Sequence, residues 1–351
     1  MEQQVAVDGQ EEQSNWTTFL KLIKICGQCC YVFCPPVPEL VTRKLAFHPP
    51  PKAFTYRIVL KDGTEAKSAK DLLGKEFGLV LTDGIRTVSP QENRRVMSSI
   101  DTFVTTTIYG NQLVGARIRP TVMSVSYSSF DRADVEQVII FSQPNSSDLG
   151  YMLHPCPNIM QRMSDFLGCD IYCFDYSGYG FSTGSPSEKN IYADVQAIYD
   201  YIRQTRPDVR IVLMGFSIGT TASVHLASQN PVNLAGVVLL AAFWSGLSLL
   251  RQKKQHVEDR VDYFDRFRNI DRVSSIRAPV LLVHGTDDEV CPIEHSQEMF
   301  KMLEKPVAPL WIYGGNHSSI LAYPATNLRI KSFMRNETET LDIGPFLMAN
   351  N

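Results

Sequence analysis

The chain has no apolar run of membrane length. Its longest, such as Leu234 to Trp244, stop well short of the roughly 20 residues that cross a bilayer, so no spanning helix is expected. Charge of one sign is also scarce. Lys and Arg number 34 against 37 Asp and Glu, for a net charge of −3, which supplies no basic field and argues against nucleic acid as the main partner. No repeat of fixed period is visible, which excludes solenoids and propellers. The opening residues MEQQVAVDGQEEQ are acidic and polar, without the basic and then apolar regions of a secretory signal. They predict a cytosolic chain with mostly reduced cysteines.

What the chain does have is bulk and a local concentration of thiols. With 351 residues, 44% of them hydrophobic, it can bury the core of one large α/β domain with appendages. Four of its eight cysteines, Cys26, Cys29, Cys30 and Cys34, crowd into NWTTFLKLIKICGQCCYVFC. Cys26 and Cys29 have zinc-knuckle spacing, but no second Cys/His pair follows nearby, and a disulfide framework is disfavoured in a reducing compartment. S-acylation fits better than a buried inert cluster, because Trp16, Phe19, Leu20, Leu22, Ile23, Ile25, Tyr31 and Phe33, with Lys21 and Lys24 among them, suit a membrane interface. One acyl chain holds weakly; several, at about 0.8 kcal/mol per buried CH₂, anchor stably.

Composition divides the chain into a cysteine-rich membrane-anchoring segment over 1–50, a charged variable linker or small subdomain over 51–100, a regular region over 101–337 and a tail over 338–351. In the regular region, short apolar stretches at 101–108, 121–127, 136–142, 170–175, 210–216, 235–241, 279–284 and 308–313 read as strands. Helical patterns at 157–168, 188–204, 217–229, 294–304 and 319–334 alternate with them. The alternation predicts an α/β fold, a mostly parallel eight-stranded sheet with helices on both faces.

The run IVLMGFSIGTT (211–221) ends abruptly in Gly215-Phe216-Ser217-Ile218-Gly219. This is the pattern of a nucleophile elbow, where the chain leaves a strand through a strained serine and enters a helix at once. Glycine flanks the turn because a Cβ would clash with the neighbouring strand and helix. In an α/β-hydrolase the acid and then the histidine follow on loops after later strands. APVLLVHG leads into Thr286-Asp287-Asp288-Glu289-Val290, and PLWIYGG into Asn316-His317-Ser318. Ser217 is therefore the candidate nucleophile, His317 the base and Asp288 the acid, with Asp287 and Glu289 left open beside it.

Geometry tests the other histidines. His225 lies eight residues into the helix that starts at Ser217, about 12 Å along its axis, too far for a base. His284 reads as a turn-shaping residue and His295 as part of the next helix; His48 and His154 fall in proline-rich loops, and His256 in a charged segment. The oxyanion hole needs two backbone amides. The Ile218 N–H is one candidate, and the loop Ser142-Gln143-Pro144-Asn145 offers the Asn145 N–H as the second. In FDYSGYG (174–180) a strand ends at Asp175, and the glycines permit a close-packed turn before a helix that Ser187 can cap.

Together, FDYSGYG at 174–180, SPSEKNIYAD at 185–194, GFSIGT at 215–220, HGTDDEV at 284–290 and PLWIYGGNH at 309–317 resemble the alpha/beta hydrolase domain-containing 17 family of serine hydrolases. The cysteine cluster followed by KLAFHPP at 44–50 is similar to that family's acylated N-terminus. The resemblance covers roughly 26–50 and 101–335 and implies a palmitoyl-protein thioesterase with Ser217, Asp288 and His317 as its triad. It also implies lipid anchoring through the acylated cysteines at the cytosolic face of membranes, plasma membrane and endosomes included, with S-acylated membrane proteins as substrates. No metal or organic cofactor is required.

The chain departs from the family pattern at Gln143-Pro144, where His-Gly is usual, at Phe216, where Gln is common, and in its acidic lead-in and 52–100 segment. These departures bear on turnover and substrate choice. The rival readings are a lipid-ester hydrolase acting on monoacylglycerol or lysophospholipid, and a catalytically weak binding protein that holds an acylated partner. A lid is expected within 243–270, whose Phe243, Trp244, Leu247, Leu249 and Leu250 line an acyl pocket or pack on the core.

Overall fold

A computed structural model describes residues 46–121, 136–250 and 265–338. The cysteines at 26, 29, 30 and 34, residues 122–127 of one expected strand, residues 251–264 of the expected lid and the chain beyond 338 lie outside the described residues.

A small antiparallel sheet comes first, with β1 (Tyr56–Leu60) in the centre between β2 (Glu65–Ala66) and β3 (Phe77–Leu81). Helix α1 (Pro90–Met97) follows, started by a capping box in which Ser89 and Glu92 each bind the other's backbone N–H, with Pro90 in the first turn. The large sheet has eight strands: β4 (Ile100–Thr106), β5 (Gln112–Ile118), β6 (Gln137–Ser142), β7 (Ile171–Phe174), β8 (Arg210–Phe216), β9 (Leu234–Leu240), β10 (Val280–Gly285) and β11 (Leu310–Ile312). Their spatial order is β11-β10-β9-β8-β6-β7-β5-β4. Only β5 runs against the rest, pairing antiparallel with both β4 and β7.

β5 is also where sequence and structure part. The second strand expected near 121–127 is preceded by QLVGARI, which forms the strand pairing with β4 across a hairpin. A mid-strand glycine weakens the local strand signal. Here Gly115 is required by a long-range contact, since a Cβ there would collide with the ring of Phe103 across the hairpin.

Among the described residues seven further helices pack on this sheet: α2 (Leu149–Leu153), α3 (Ile159–Leu167), α4 (Glu188–Thr205), α5 (Gly219–Ala227), α6 (Gly246–Leu250), α7 (Glu294–Met302) and α8 (Pro324–Asn336). The strands are apolar on both faces because both are covered. Ile140, Leu213, Val237 and Leu282 face α4, α5 and α7, while Ile139, Val212, Val238 and Leu281 face α3 and α8. In α4 the buried Ile191, Val195, Ile198 and Ile202 form one stripe, and the Ser187 hydroxyl accepts the Asn190 N–H at its start. The small sheet joins the second face, where Tyr56, Ile58, Leu79 and Leu81 pack with Val114, Ala116 and Phe141. Near the expected lid, Phe243 and Phe267 are buried in the first core, with Trp244 and Leu249 packed against it. No helix among the described residues is long and apolar enough to cross a membrane.

Candidate active site

β8 ends at Phe216 and α5 starts at Gly219, leaving Ser217 at the turn with φ of 53°, in the left-handed region that a non-glycine residue rarely adopts. The strain is held from both sides. The Ser217 N–H donates to the Leu240 carbonyl at 2.9 Å, and a Cβ at Gly215 or Gly219 would overlap the carbonyl oxygen of Gly219 or Ser142 respectively. Ser217 is 9% exposed at the start of α5, where the helix dipole favours negative charge.

Asp288 lies on the loop after β10 and His317 on the loop after β11, which brings two segments 29 residues apart into contact. His317 Nδ1 lies 2.8 Å from Asp288 Oδ2. The other carboxylate oxygen accepts the N–H groups of Cys291 (2.7 Å) and Val290 (2.9 Å). Asp287 and Glu289 are exposed, so Asp288 is the carboxylate turned inward. Burial pushes its pKa up, but hydrogen bonds from His284, His317 and the Cys291 N–H outweigh this and hold it well below the usual carboxylate range.

The imidazole of His317 leans on Phe216, ring centroids 5.3 Å apart, which sets it beside the elbow. The Ser217 hydroxyl makes no hydrogen bond to His317 among the described residues; such contacts commonly tighten only when substrate is bound. Near it lies the buried Cys291 thiol, whose pKa is driven up by burial and the Asp288 charge and lowered by a side-chain hydrogen bond with Ser217.

His284 has a larger part than turn shaping. Fully buried, it contacts Ser296 Oγ through Nδ1 (2.6 Å) and the Cys291 carbonyl through Nε2 (2.7 Å), with Nε2 also 3.3 Å from Asp288 Oδ2. Asp288 is thus flanked by two imidazoles. Its i,i+4 offset from His284 is visible in sequence, but spacing within a strand-to-loop turn does not reveal a contact. His225 stacks on Tyr192, and burial with the nearby Arg272 charge lowers its pKa to about 4. Burial, then repulsion from His284, does the same to His295, which packs on Trp244.

The loop after β6 is more elaborate than its sequence suggests. The N–H groups of Asn145 and Ile218 have no hydrogen-bond partner among the described residues, as donors for an oxyanion would require. The Asn145 carboxamide, by contrast, is fully engaged. It donates to the Ala46 carbonyl (2.8 Å) and accepts from the His48 N–H (3.0 Å) and the Tyr179 hydroxyl (2.8 Å). Gln143 is buried and turned inward, its side chain donating to the Ser147 carbonyl and its own carbonyl accepting from Tyr176. Tyr176 and Tyr179 make FDYSGYG a holder of this loop rather than a simple turn. No group of three or more His, Cys, Asp or Glu suited to a metal ion occurs among the described residues.

Residues 149–271 match the family described as alpha/beta hydrolase fold. The human alpha/beta hydrolase domain-containing protein 17B is 32% identical over 318 residues, which cover 89% of this chain and 97% of that protein. The 17C protein of Xenopus tropicalis is 34% identical over 317 residues, 89% of this chain and 94% of its own. The chain belongs to the alpha/beta hydrolase domain-containing 17 family.

As a member of that family it has the α/β-hydrolase fold and is a hydrolase. A solved esterase structure from Pyrococcus furiosus, 18% identical and covering 71% of this chain and 94% of its own, superposes with a TM-score of 0.51 and shares the fold. In this family member the elbow serine, the His317–Asp288 pair and the loop after β6 lie at the carboxyl ends of the parallel strands. That arrangement can supply a nucleophile, a base with a fixed tautomer, and two amides for a developing negative charge.

Proposed function

We propose that this family member is a membrane-anchored serine hydrolase that cleaves acyl thioesters and removes palmitate from S-acylated proteins. The observation that carries the reading is the pairing of His317 Nδ1 with the buried Asp288 carboxylate beside the strained Ser217. Ser217 Oγ attacks the thioester carbonyl as His317 takes its proton; the C–S bond breaks, and His317 returns the proton to the departing cysteine sulfur. Water then attacks the acyl-serine with His317 again as base, freeing the fatty acid and restoring Ser217. The amides of Ile218 and Asn145 hold the oxyanion in both steps. This chemistry needs no cofactor.

The thioester assignment rests on the family resemblance, and it is tested by comparing an S-palmitoylated peptide with an O-palmitoylated serine analogue and with monoacylglycerol and lysophospholipid. The expected result is turnover of the thioester at least about tenfold faster in kcat/KM, a difference of about 1.4 kcal/mol in transition-state binding. Preference for either lipid ester replaces the thioesterase reading, and absence of turnover on all four favours a binding protein. Cys26, Cys29, Cys30 and Cys34 are the proposed acylation sites, placing the enzyme on the cytosolic face of membranes. Replacing all four with Ser is expected to move the protein from the membrane to the soluble fraction, since multiple chains are needed for stable anchoring. Retention in the membrane fraction rejects the anchor.

A further inference from the structure

Two carboxylates are buried side by side behind the loop that follows β6, and neither belongs to the triad. Asp148 sits at the end of that loop as the N-cap of α2, and Asp175 at the end of β7. Burial raises the pKa of Asp175, the negative charge of Asp148 raises it further, and burial likewise raises that of Asp148, so the pair favours retaining a proton. Such a pair is costly and holds together only with good donors around it.

Backbone N–H groups of α2 supply some of these donors, and the two side-chain hydroxyls come from the segment leading into the small sheet. The buried Thr55 hydroxyl lies 2.7 Å from each oxygen of Asp148, and the Tyr56 hydroxyl donates to Asp175 Oδ2, while the Leu149 N–H donates to Asp175 Oδ1 at 2.8 Å. The approach leaves no slack. A Cβ on Gly150 would overlap the Thr55 side chain, and one on Gly180 would overlap both Asp175 and Tyr56. Earlier in its course the same segment grips the other end of the loop, through the bonds of Ala46 and His48 to the Asn145 carboxamide, with Phe47 packed edge-on against Tyr179 and Phe267.

We infer that residues 46–56 are a positioning element for the oxyanion loop, and that Thr55 is its positioning residue, holding Asp148 so that the Asn145 N–H keeps its aim. The inference rests on the proposed hydrolase mechanism for its effect on rate, though the clamp itself does not. Misplacement of a catalytic group by about 1 Å can cost on the order of 100-fold, so a loosened loop is read in kcat.

The test compares Thr55→Val, which keeps the shape and removes the hydroxyl, with Thr55→Ser, which keeps the hydroxyl. The readouts are hydrolysis of p-nitrophenyl butyrate, the rate of Ser217 labelling by a fluorophosphonate, and hydrogen exchange across residues 143–149. Thr55→Val is expected to lower kcat and the labelling rate by about 10- to 100-fold with KM changed less than about twofold, and to speed exchange across 143–149. Thr55→Ser is expected to recover most of both. Wild-type kcat, labelling and exchange in Thr55→Val overturn the inference, as does a Thr55→Ser protein as impaired as Thr55→Val. If Thr55→Val does not fold, Tyr56→Phe, which removes the donor to Asp175 and the acceptor of the Phe181 N–H, carries the same expectations. A wild type that neither labels nor hydrolyses refutes the hydrolase reading, and the exchange comparison still decides the clamp.

Discussion

Ser217→Ala is expected to abolish fluorophosphonate labelling and to lower kcat by about 10⁴-fold or more, while leaving the fold intact. The magnitude follows from the proposed role of the hydroxyl: in that mechanism no acyl-enzyme forms without it, and only the proposed oxyanion amides and substrate binding remain to accelerate attack by water. Stability should change little or rise. Ser217 keeps its φ of 53° because the flanking glycines leave the chain no other route, and alanine tolerates that conformation about as poorly as serine. The loss of the buried hydroxyl, next to the Cys291 thiol, removes a polar group from a tight site. Chemical denaturation beside the labelling assay separates the two effects. Residual labelling in Ser217→Ala identifies another nucleophile and removes the triad.

Asp288→Asn is the second large effect. It is expected to lower kcat by about 10⁴-fold, because an amide opposite Nδ1 no longer fixes the tautomer that leaves Nε2 free to accept the serine proton. Here the consequence extends beyond the triad. Asp288 also faces His284, and its Oδ1 collects the N–H groups of Cys291 and Val290, so the neutral side chain weakens the whole loop after β10. A stability loss of about 1–3 kcal/mol is expected together with the rate loss. The sign of the pH dependence follows from the depressed pKa. A carboxylate held below its unfolded value stabilises the fold fully above that unfolded value, and the contribution is lost as pH falls through the native one. The wild type should therefore lose stability below about pH 4 more steeply than Asp288→Asn. Denaturant midpoints for both proteins between neutral and acid pH check this, and parallel profiles contradict the pairing.

Much of this site was legible in the sequence because its signals are local. The elbow declares itself through Gly215, Ser217 and Gly219, since no other side chains fit a strand-to-helix reversal so tight. Asp288 and His317 were proposed from their position after successive apolar strands, and the structure brings the two side chains into contact. What local pattern could not separate was Asp288 from Asp287 and Glu289, because three consecutive carboxylates in a loop differ only in which one the loop turns inward. The β5 strand was hidden for a related reason: Gly115 looks like a break until Phe103 is seen lying across it.

The segment before β4 shows the limit most clearly. Its residues are charged and mixed, with weak periodicity, and nothing in Thr55 or Tyr56 marks them as partners of carboxylates 93 and 119 residues away. Hydrophobic period, glycine placement and strand-helix alternation determine the sheet, the elbow and the order of the chemical groups, because those depend on neighbours within a few residues. Which loop carboxylate meets His317, which hydroxyls meet the buried Asp148 and Asp175, and what holds Asn145 were decided only when distant strands closed into one sheet. Hydrogen bonds of a few ångströms between such remote groups are set by the tertiary packing, and no local preference encodes them.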